Sequence, residues 1–269
     1  MRRANPQFEL VDIPQCHEEL CPDVKGLSLG EVIDEDVCVD NEAGTSKHLF
    51  LASIAWDEAA RRELAALYLE GNGVFRVERL FLTHPDADHC NGAAQLISRV
   101  QVGTLYLPMT ALREQSDMLQ TIIRTARENG TQVRFVRENL EFPTKRGKIR
   151  VLKPDLLESG NDGGLCVLAA HEKYDILITG DLSQNEEYRL LSQNELRGIE
   201  LLVAGHHGAA TSTSDALLAQ TGARTVILSV GADNSYGHPA AQTLARIQNA
   251  GAAIYRTDEM GTIVIRGGN

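Results

Sequence analysis

No apolar run in this chain of 269 residues approaches the roughly 18–20 residues that a membrane-crossing helix needs, so no membrane association is expected. Basic residues open the chain in Met1-Arg2-Arg3-Ala4-Asn5-Pro6, but no apolar stretch follows them, which argues against a secretory signal. Cysteine is scarce and odd in number. Five residues without the spacing of a disulfide framework suit a reducing compartment, and the cytoplasm is the expected location. Low-complexity tracts, short-period repeats and a Gly/Pro/Ser-rich linker are all lacking, so the chain reads as one domain. Positive charge is also in deficit: a formal net charge of −11 argues against a protein that coats nucleic acid by charge alone.

The charge that is there is unevenly spread. Residues 1–60 hold thirteen acids against four bases and could dock on a basic partner protein, whereas residues 124–153 hold nine bases against three acids. The plain account of the basic stretch is a solvated helix end and hairpin; the sharper one is a surface that tracks phosphates. The first sixty residues are otherwise hard to read. Phe8–Ile13 and Asp36–Asp40 alternate like strands. Cys16, His17 and Cys21 lack a second ligand cluster, so incidental thiols are expected there in preference to zinc. Trp56, Ala59, Ala60, Leu64, Leu67 and Tyr68 recur at helical spacing, an expected core stripe that Gly71-Asn72-Gly73 ends. Strands and helices then alternate: a short helix over 92–100, a strand over 103–107, a helix from about Ala111 to Glu128, and strands at 133–136, 149–152, 165–169 and 175–179. They continue through a strand over 201–204, a helix over 214–220, a strand over 225–230, a helix over 240–250 and strands at 253–255 and 262–265. Such a strand-rich, helix-covered chain points to a layered α/β fold.

Chemistry gathers where apolar runs stop. Val77–Leu82 runs into Thr83-His84-Pro85-Asp86-Ala87-Asp88-His89, Asp175–Thr179 into Gly180-Asp181, Leu201–Ala204 into Gly205-His206-His207-Gly208, and Leu228–Val230 into Asn234-Ser235-Tyr236-Gly237-His238-Pro239. Strand exits are where α/β folds place ligand sites. Two His and two Asp within six residues need a cation between them, because packed carboxylates repel. Taken singly, Asp181 is as well explained as a helix cap, and His206 and His207 as a turn.

In that order these motifs resemble the metallo-β-lactamase superfamily, and within it the hydrolase domain of the ComEC family of DNA-uptake proteins. The stretch 229–239 and the tail Tyr255-Arg256-Thr257-Asp258-Glu259-Met260-Gly261 are similar to that branch in particular. The resemblance implies a four-layer αββα sandwich with a core over 61–269 and a divergent acidic part over 1–60, and two divalent ions, Mn²⁺ or Zn²⁺. His84 and Asp86 would bind the first ion, Asp88 and His89 the second. Asp181 would bridge them, and His206 would complete the second site. Asp86 stands where the superfamily usually has His, and an oxygen ligand favours manganese. The superfamily's mid-chain His has no counterpart. Asn161-Asp162-Gly163-Gly164-Leu165 lies there, and Asp162 or a water is the candidate for its position. Asp40, followed by Gly44, is the candidate for the Asp-Thr-Gly element that braces the site.

Two such ions carry +4, offset by Asp86, Asp88 and Asp181, and together can activate a shared water and clamp a phosphoryl group. The expected activity is therefore that of a phosphodiesterase or nuclease acting on nucleic acid, single-stranded DNA first. Asp88, His207 and His238 are the expected catalytic residues: His238 touches substrate or acts as the acid, and His207 stands behind the metals. Ser212, Thr213, Asn234 and Tyr236 are expected to contact substrate, although Thr213 or Ser214 is equally well read as a helix cap. The alternatives are hydrolysis of a lactone, thioester or peptide bond, or an interaction module that keeps a metal for folding. Cys90 and Cys166 are expected to pack.

Overall fold

The computed structural model describes residues 31–32, 48–52, 64–114, 116–144, 147–153, 160–171, 175–261 and 263. The expected strands at 8–13 and 36–40, the Cys16-His17-Cys21 group, Asp40 with Gly44, and all of the strand expected at 262–265 except Ile263 lie outside these residues.

Two sheets carry the described strands. The first runs in chain order from β1 (Glu31–Val32) through β2 (His48–Ala52), β3 (Arg76–Phe81) and β4 (Gln101–Pro108) to β5 (Gln132–Val136). Its strands are parallel from β2 onward. Parallel neighbours need crossovers. Here these are α1 (Leu64–Gly71), then α2 (Ala87–Cys90) with α3 (Ala93–Arg99), then α4 (Asp117–Glu128). The second sheet also keeps chain order: β6 (Leu140–Thr144), β7 (Gly147–Leu152), β8 (Cys166–His171), β9 (Asp175–Ile178), β10 (Leu201–Val203), β11 (Thr225–Leu228) and β12 (Ala253–Arg256). Hairpin-type antiparallel pairs join β6 to β9. Parallel pairs follow, connected by α5 (Gln184–Gln193), α6 (Asp215–Thr221) and α7 (Ala241–Asn249).

The strand period of two assigns each face its layer. Phe81, Tyr106 and Val136 of the first sheet pack between the sheets against Ile176, Ile178 and Val203 of the second. Their chain neighbours Leu80 and Leu105 turn outward to Leu69, Ile97 and Leu119 of the first helical layer. Leu177 and Leu202 likewise meet Leu190, Leu217 and Ile247 of the other. Burial on both faces explains why these strands read as continuous apolar runs. The result is the four-layer αββα sandwich.

Several sequence expectations are corrected. In α1 the buried residues are Ala65, Ala66 and Leu69, whereas Leu67 of the expected stripe is 45% exposed and Tyr68 half-buried; Trp56, Ala59 and Ala60 lie outside the described residues. The helix expected from Ala111 begins at Asp117. Ser116 caps it, its hydroxyl accepting the Leu119 N–H at 3.3 Å, and a separate 3₁₀ turn occupies Met109–Leu112. Elements that had not been expected include β1 and β2, β6, which carries Pro143 on an edge strand where the missing N–H is tolerated, the polar helix α5, and the short α8 (Thr257–Met260).

Candidate metal centre

The site lies where the two sheets' strands end together. Past β3, the Leu82 N–H still donates to the Tyr106 carbonyl at 3.1 Å. One residue later, the Thr83 carbonyl accepts from Leu165 N–H of the other sheet at 2.7 Å. Gly180 follows β9 at φ +58°. A Cβ there would stand 3.1 Å from the Thr83 Cβ, so glycine permits both the turn and the close approach.

These exits carry the acidic and imidazole groups into one space. Asp181 Oδ1 lies 3.2 Å from His89 Nε2, and its Oδ2 lies 3.6 Å from His84 Nε2 and 3.7 Å from His206 Nε2. His84 Nε2 is 3.9 Å from Asp86 Oδ2. The ligand atoms of Asp88, His89, Asp181 and His207 all lie within 4.8 Å of one another, as do those of His84, Asp86 and Asp88. His84, Asp86, Asp88, His89 and Asp181 are thus brought together. His206, expected to complete the second site, lies near Asp181 but outside both groups, whereas Nε2 of His207 faces Asp88 Oδ2 at 3.3 Å within the first.

The donor set fits cations. His84 is fully buried and its Nε2 has no hydrogen-bond partner. An unpaired buried polar atom costs about 1–3 kcal/mol unless something else engages it. Burial, reinforced by the charge of His89, pushes His84 down to about 3, which leaves a neutral imidazole able to ligate. Burial and the neighbouring Asp88 raise Asp86, the signature of carboxylates crowded without a counter-charge. Burial also works to raise Asp88 and Asp181, but their histidine partners prevail. The His207 hydrogen bond and the charge of His89 bring Asp88 to about 2, and the His89 hydrogen bond with the charges of His89 and His84 holds Asp181 well below the ordinary carboxylate range.

His207 is aimed by its backbone. His206 and His207 adopt φ of 51° and 53° in the 3₁₀ turn Gly205–Gly208, a left-handed conformation that costs about 1–3 kcal/mol per non-glycine residue. The His207 Nδ1–H donates to the Ser229 carbonyl at 2.7 Å, which fixes the tautomer and leaves Nε2 for the cluster. Gly208 closes the turn, since a Cβ there would come within 2.5 Å of Leu228 Cδ2 and 2.7 Å of Pro239 Cβ. Burial lowers the His207 pKa, yet the Asp88 hydrogen bond and the Asp181 charge outweigh it and raise the group overall.

The expected substrate contacts divide. Tyr236 is 81% exposed, its ring 5.9 Å from that of His238 and inclined by 19°. His238 lies 5.8 Å from the His206 ring, and burial together with the charges of His206 and His207 lowers its pKa. Asn234 is occupied with its own loop: Nδ2 donates to the carbonyls of Gly231 and His238, and Oδ1 accepts from His238 N–H. Ser212 and Thr213 are fully buried. The Ser212 hydroxyl donates to the Leu182 carbonyl and the Thr213 hydroxyl accepts from Gly205 N–H, so both brace the loop that bears the histidines and neither meets the solvent. Ser214 caps α6. Asp162 Oδ1 accepts from Ser183 N–H at 2.9 Å. Cys90 is buried, its thiol donating to the Pro85 carbonyl and pushed up to about 12 by burial; Cys166 is also buried.

Sequence reasoning missed Glu187 and Arg246. Fully buried Glu187 accepts the N–H groups of Thr213 and Ser214 at 2.6 and 2.7 Å, and Arg246 donates to the carbonyls of Ala210, Ser212 and Thr213. Glu187 sits in Gln184-Asn185-Glu186-Glu187, whose polarity gives no sign of burial. Within the basic stretch, Lys148 and Arg150 are engaged by Glu141 and Asn194, while Arg124, Arg127, Arg134 and Arg137 are exposed. No helix among the described residues is long and apolar enough to cross a membrane.

Residues 52–231 match the Metallo-beta-lactamase superfamily. Over 201 residues the chain is 29% identical to ComE operon protein 3 of Bacillus subtilis (strain 168), an overlap of 74% of this chain and 26% of that protein. Over 218 residues it is 26% identical to Recombination protein 2 of Haemophilus influenzae (strain ATCC 51907 / DSM 11121 / KW20 / Rd), covering 80% of this chain and 25% of that one. The chain therefore spans about a quarter of the length of these relatives. Among solved structures, Tm1679, a metal-dependent hydrolase of the beta-lactamase superfamily, aligns with a TM-score of 0.50 and 14% identity over 86% of this chain and 95% of that one, a likeness of fold.

Proposed function

This chain belongs to the Metallo-beta-lactamase superfamily of metal-dependent hydrolases, and we propose that it is a phosphodiesterase that cuts nucleic acid, single-stranded DNA first. The observation that carries the reading is an exposed aromatic ring, Tyr236, joined through the rings of His238 and His206 to a ligand array suited to two divalent ions. Successive bases of a single strand stack on such rings whatever the sequence. The relatives named for the ComE operon and for recombination point to the same substrate class, as do the exposed Arg134 and Arg137.

His84, Asp86 and Asp88 would hold one ion, and Asp88, His89, Asp181 and His207 the other, with Asp181 Oδ2 also 3.6 Å from His84 and Mn²⁺ favoured over Zn²⁺ by the carboxylates. When bound, such a pair supplies Lewis-acid activation of water and charge stabilisation at phosphorus. The chain's own groups orient the reactants. Asp88, 48% exposed, accepts a hydrogen bond from the attacking water. His207, held through Nδ1 by Ser229, keeps Asp88 in place. His238, at the rim beside Tyr236, donates a ring N–H to a nonbridging phosphate oxygen.

A substrate panel tests the reading. Purified protein with Mn²⁺ is expected to cleave labelled single-stranded DNA and chromogenic phosphodiesters and to leave lactones, thioesters and peptides intact. Activity confined to the latter three would overturn it.

A further inference from the structure

We propose that the cavity at the leading ends of β10 and β11 is a binding site for a mononucleotide, with Arg197 and Arg224 holding its phosphate. The cavity measures about 680 Å³. Sites that enclose small molecules run from roughly 300 to 1,000 Å³. It lies at the opposite end of these strands from Gly205–Gly208 and Ser229, so its occupant shares no space with the metal centre.

Two glycine turns build it. Gly198 (φ +72°) precedes β10, and Gly222 (φ +64°) ends α6 before β11; each lies within two residues of one of the arginines. A Cβ at either glycine would meet no atom within 4 Å, so both turns face open space. The walls stand ready before a ligand arrives. The Thr221 carbonyl accepts the N–H groups of Gly198 and Ile199 at 3.0 and 3.1 Å, which ties the turns together and caps the negative end of α6. Leu196, Ile199 and Ala223 are buried beside the arginines and anchor their backbone, while Arg197 and Arg224 themselves are exposed.

The lining matches a nucleotide part by part. Guanidinium forks pair with phosphate oxygens in bidentate fashion. Neither fork is already satisfied. Arg197 meets the exposed Glu195 at 3.6 Å, a pairing of little worth, and Arg224 makes no ion pair or side-chain hydrogen bond among the described residues. Glu200 adds a carboxylate held by the Asp175 N–H at 2.8 Å, an acceptor suited to sugar hydroxyls. Ile199, Ala216 and Ala219 supply an apolar surface for the base. A bare anion would use the arginines alone, whereas a nucleotide uses all three parts.

The test is calorimetric titration of the full chain with AMP, adenosine and inorganic phosphate. The wild type is expected to bind AMP, and adenosine or inorganic phosphate at least tenfold more weakly. Arg197→Gln combined with Arg224→Gln is expected to weaken AMP at least tenfold. Ala219→Trp, which fills the apolar side and leaves the charges in place, is expected to do the same. Arg124→Gln combined with Arg127→Gln removes equal charge from the exposed side of α4 and is expected to leave the affinity unchanged. A wild type that does not bind AMP, or that binds adenosine or inorganic phosphate as tightly, would overturn the proposal. So would an equal loss in the α4 variant, or AMP affinity that survives both cavity variants.

Discussion

Asp181 meets His89 at 3.2 Å, and the two residues come from different sheets: Asp181 follows β9, and His89 lies on the helix after β3. The centre is therefore a junction, and its assembly reports that the two sheets have docked. Asp181 also lies 3.6 Å from His84 with its other oxygen, which suits the bridging role proposed for it. Ions that bind only the folded state raise its stability. Mn²⁺ is expected to raise the unfolding midpoint of the wild type in calorimetry and to leave that of Asp181→Asn unmoved; an equal rise in both would show that Asp181 does not hold the ions.

Asp86 is the residue proposed to set the metal preference. It presents a hard oxygen 3.9 Å from His84 Nε2, and replacing it with imidazole softens the donor set. Asp86→His is expected to gain affinity for Zn²⁺ and lose it for Mn²⁺, measured as competitive dissociation constants on the stripped protein. An unchanged ratio would remove Asp86 from the explanation.

Tyr236, proposed to stack on a base, is the position at which binding and chemistry can be separated. Loss of one base-stacking partner costs about 1–3 kcal/mol, so Tyr236→Ala is expected to raise KM for single-stranded DNA roughly 5- to 150-fold. Tyr236→Trp should retain the wild-type value. Hydrolysis of a small chromogenic phosphodiester, which has no flanking base to stack, should be unaffected by either substitution. An equal loss on both substrates would mean that the ring supports the loop and does not touch DNA.

Glu187 links stability to pH. Its carboxyl is pushed above the ordinary range by burial, against the opposing pull of the Thr213 and Ser214 N–H groups. A raised folded-state pKa means that the folded chain binds the proton more tightly than the unfolded one. The contribution is therefore fully present below the unfolded value and is lost as pH rises through the folded value. Urea midpoints are expected to show the wild type losing stability relative to Glu187→Gln as pH climbs from near 4 toward neutrality. A difference that stays flat, or that grows in the other direction, would contradict this.

The sequence made the centre legible because each ligand sits directly past an apolar run, and strand exits are visible as a change from β-branched to polar residues. That His84, Asp88, His89 and Asp181 would come together could be read for that reason. The choice between His206 and His207 could not be read, because adjacent residues share a motif and only the positive φ at both and the Ser229 carbonyl decide which nitrogen points where. Ser212 and Thr213 looked like phosphate donors because hydroxyls suit phosphate. That a buried Glu187 and Arg246 would turn this segment inward depends on residues some thirty positions away. In α1 Ala65 and Ala66 carry no strong periodic signal, whereas the larger Leu67 does and is exposed. Leu69→Ala is accordingly expected to cost about 2–5 kcal/mol in denaturant unfolding, and Leu67→Lys to stay within about 0.5 kcal/mol of wild type. Equal costs at the two positions would show that Leu67 packs as Leu69 does.

The account stands or falls on cations driving cleavage at this junction of two sheets. Single-stranded DNA cleavage by the metal-stripped chain, followed as Mn²⁺ is added back, measures it directly: no cleavage is predicted without the ion, with a rise that saturates near two equivalents. Cleavage that persists in the stripped protein, or a fully loaded protein that leaves DNA intact, would contradict it.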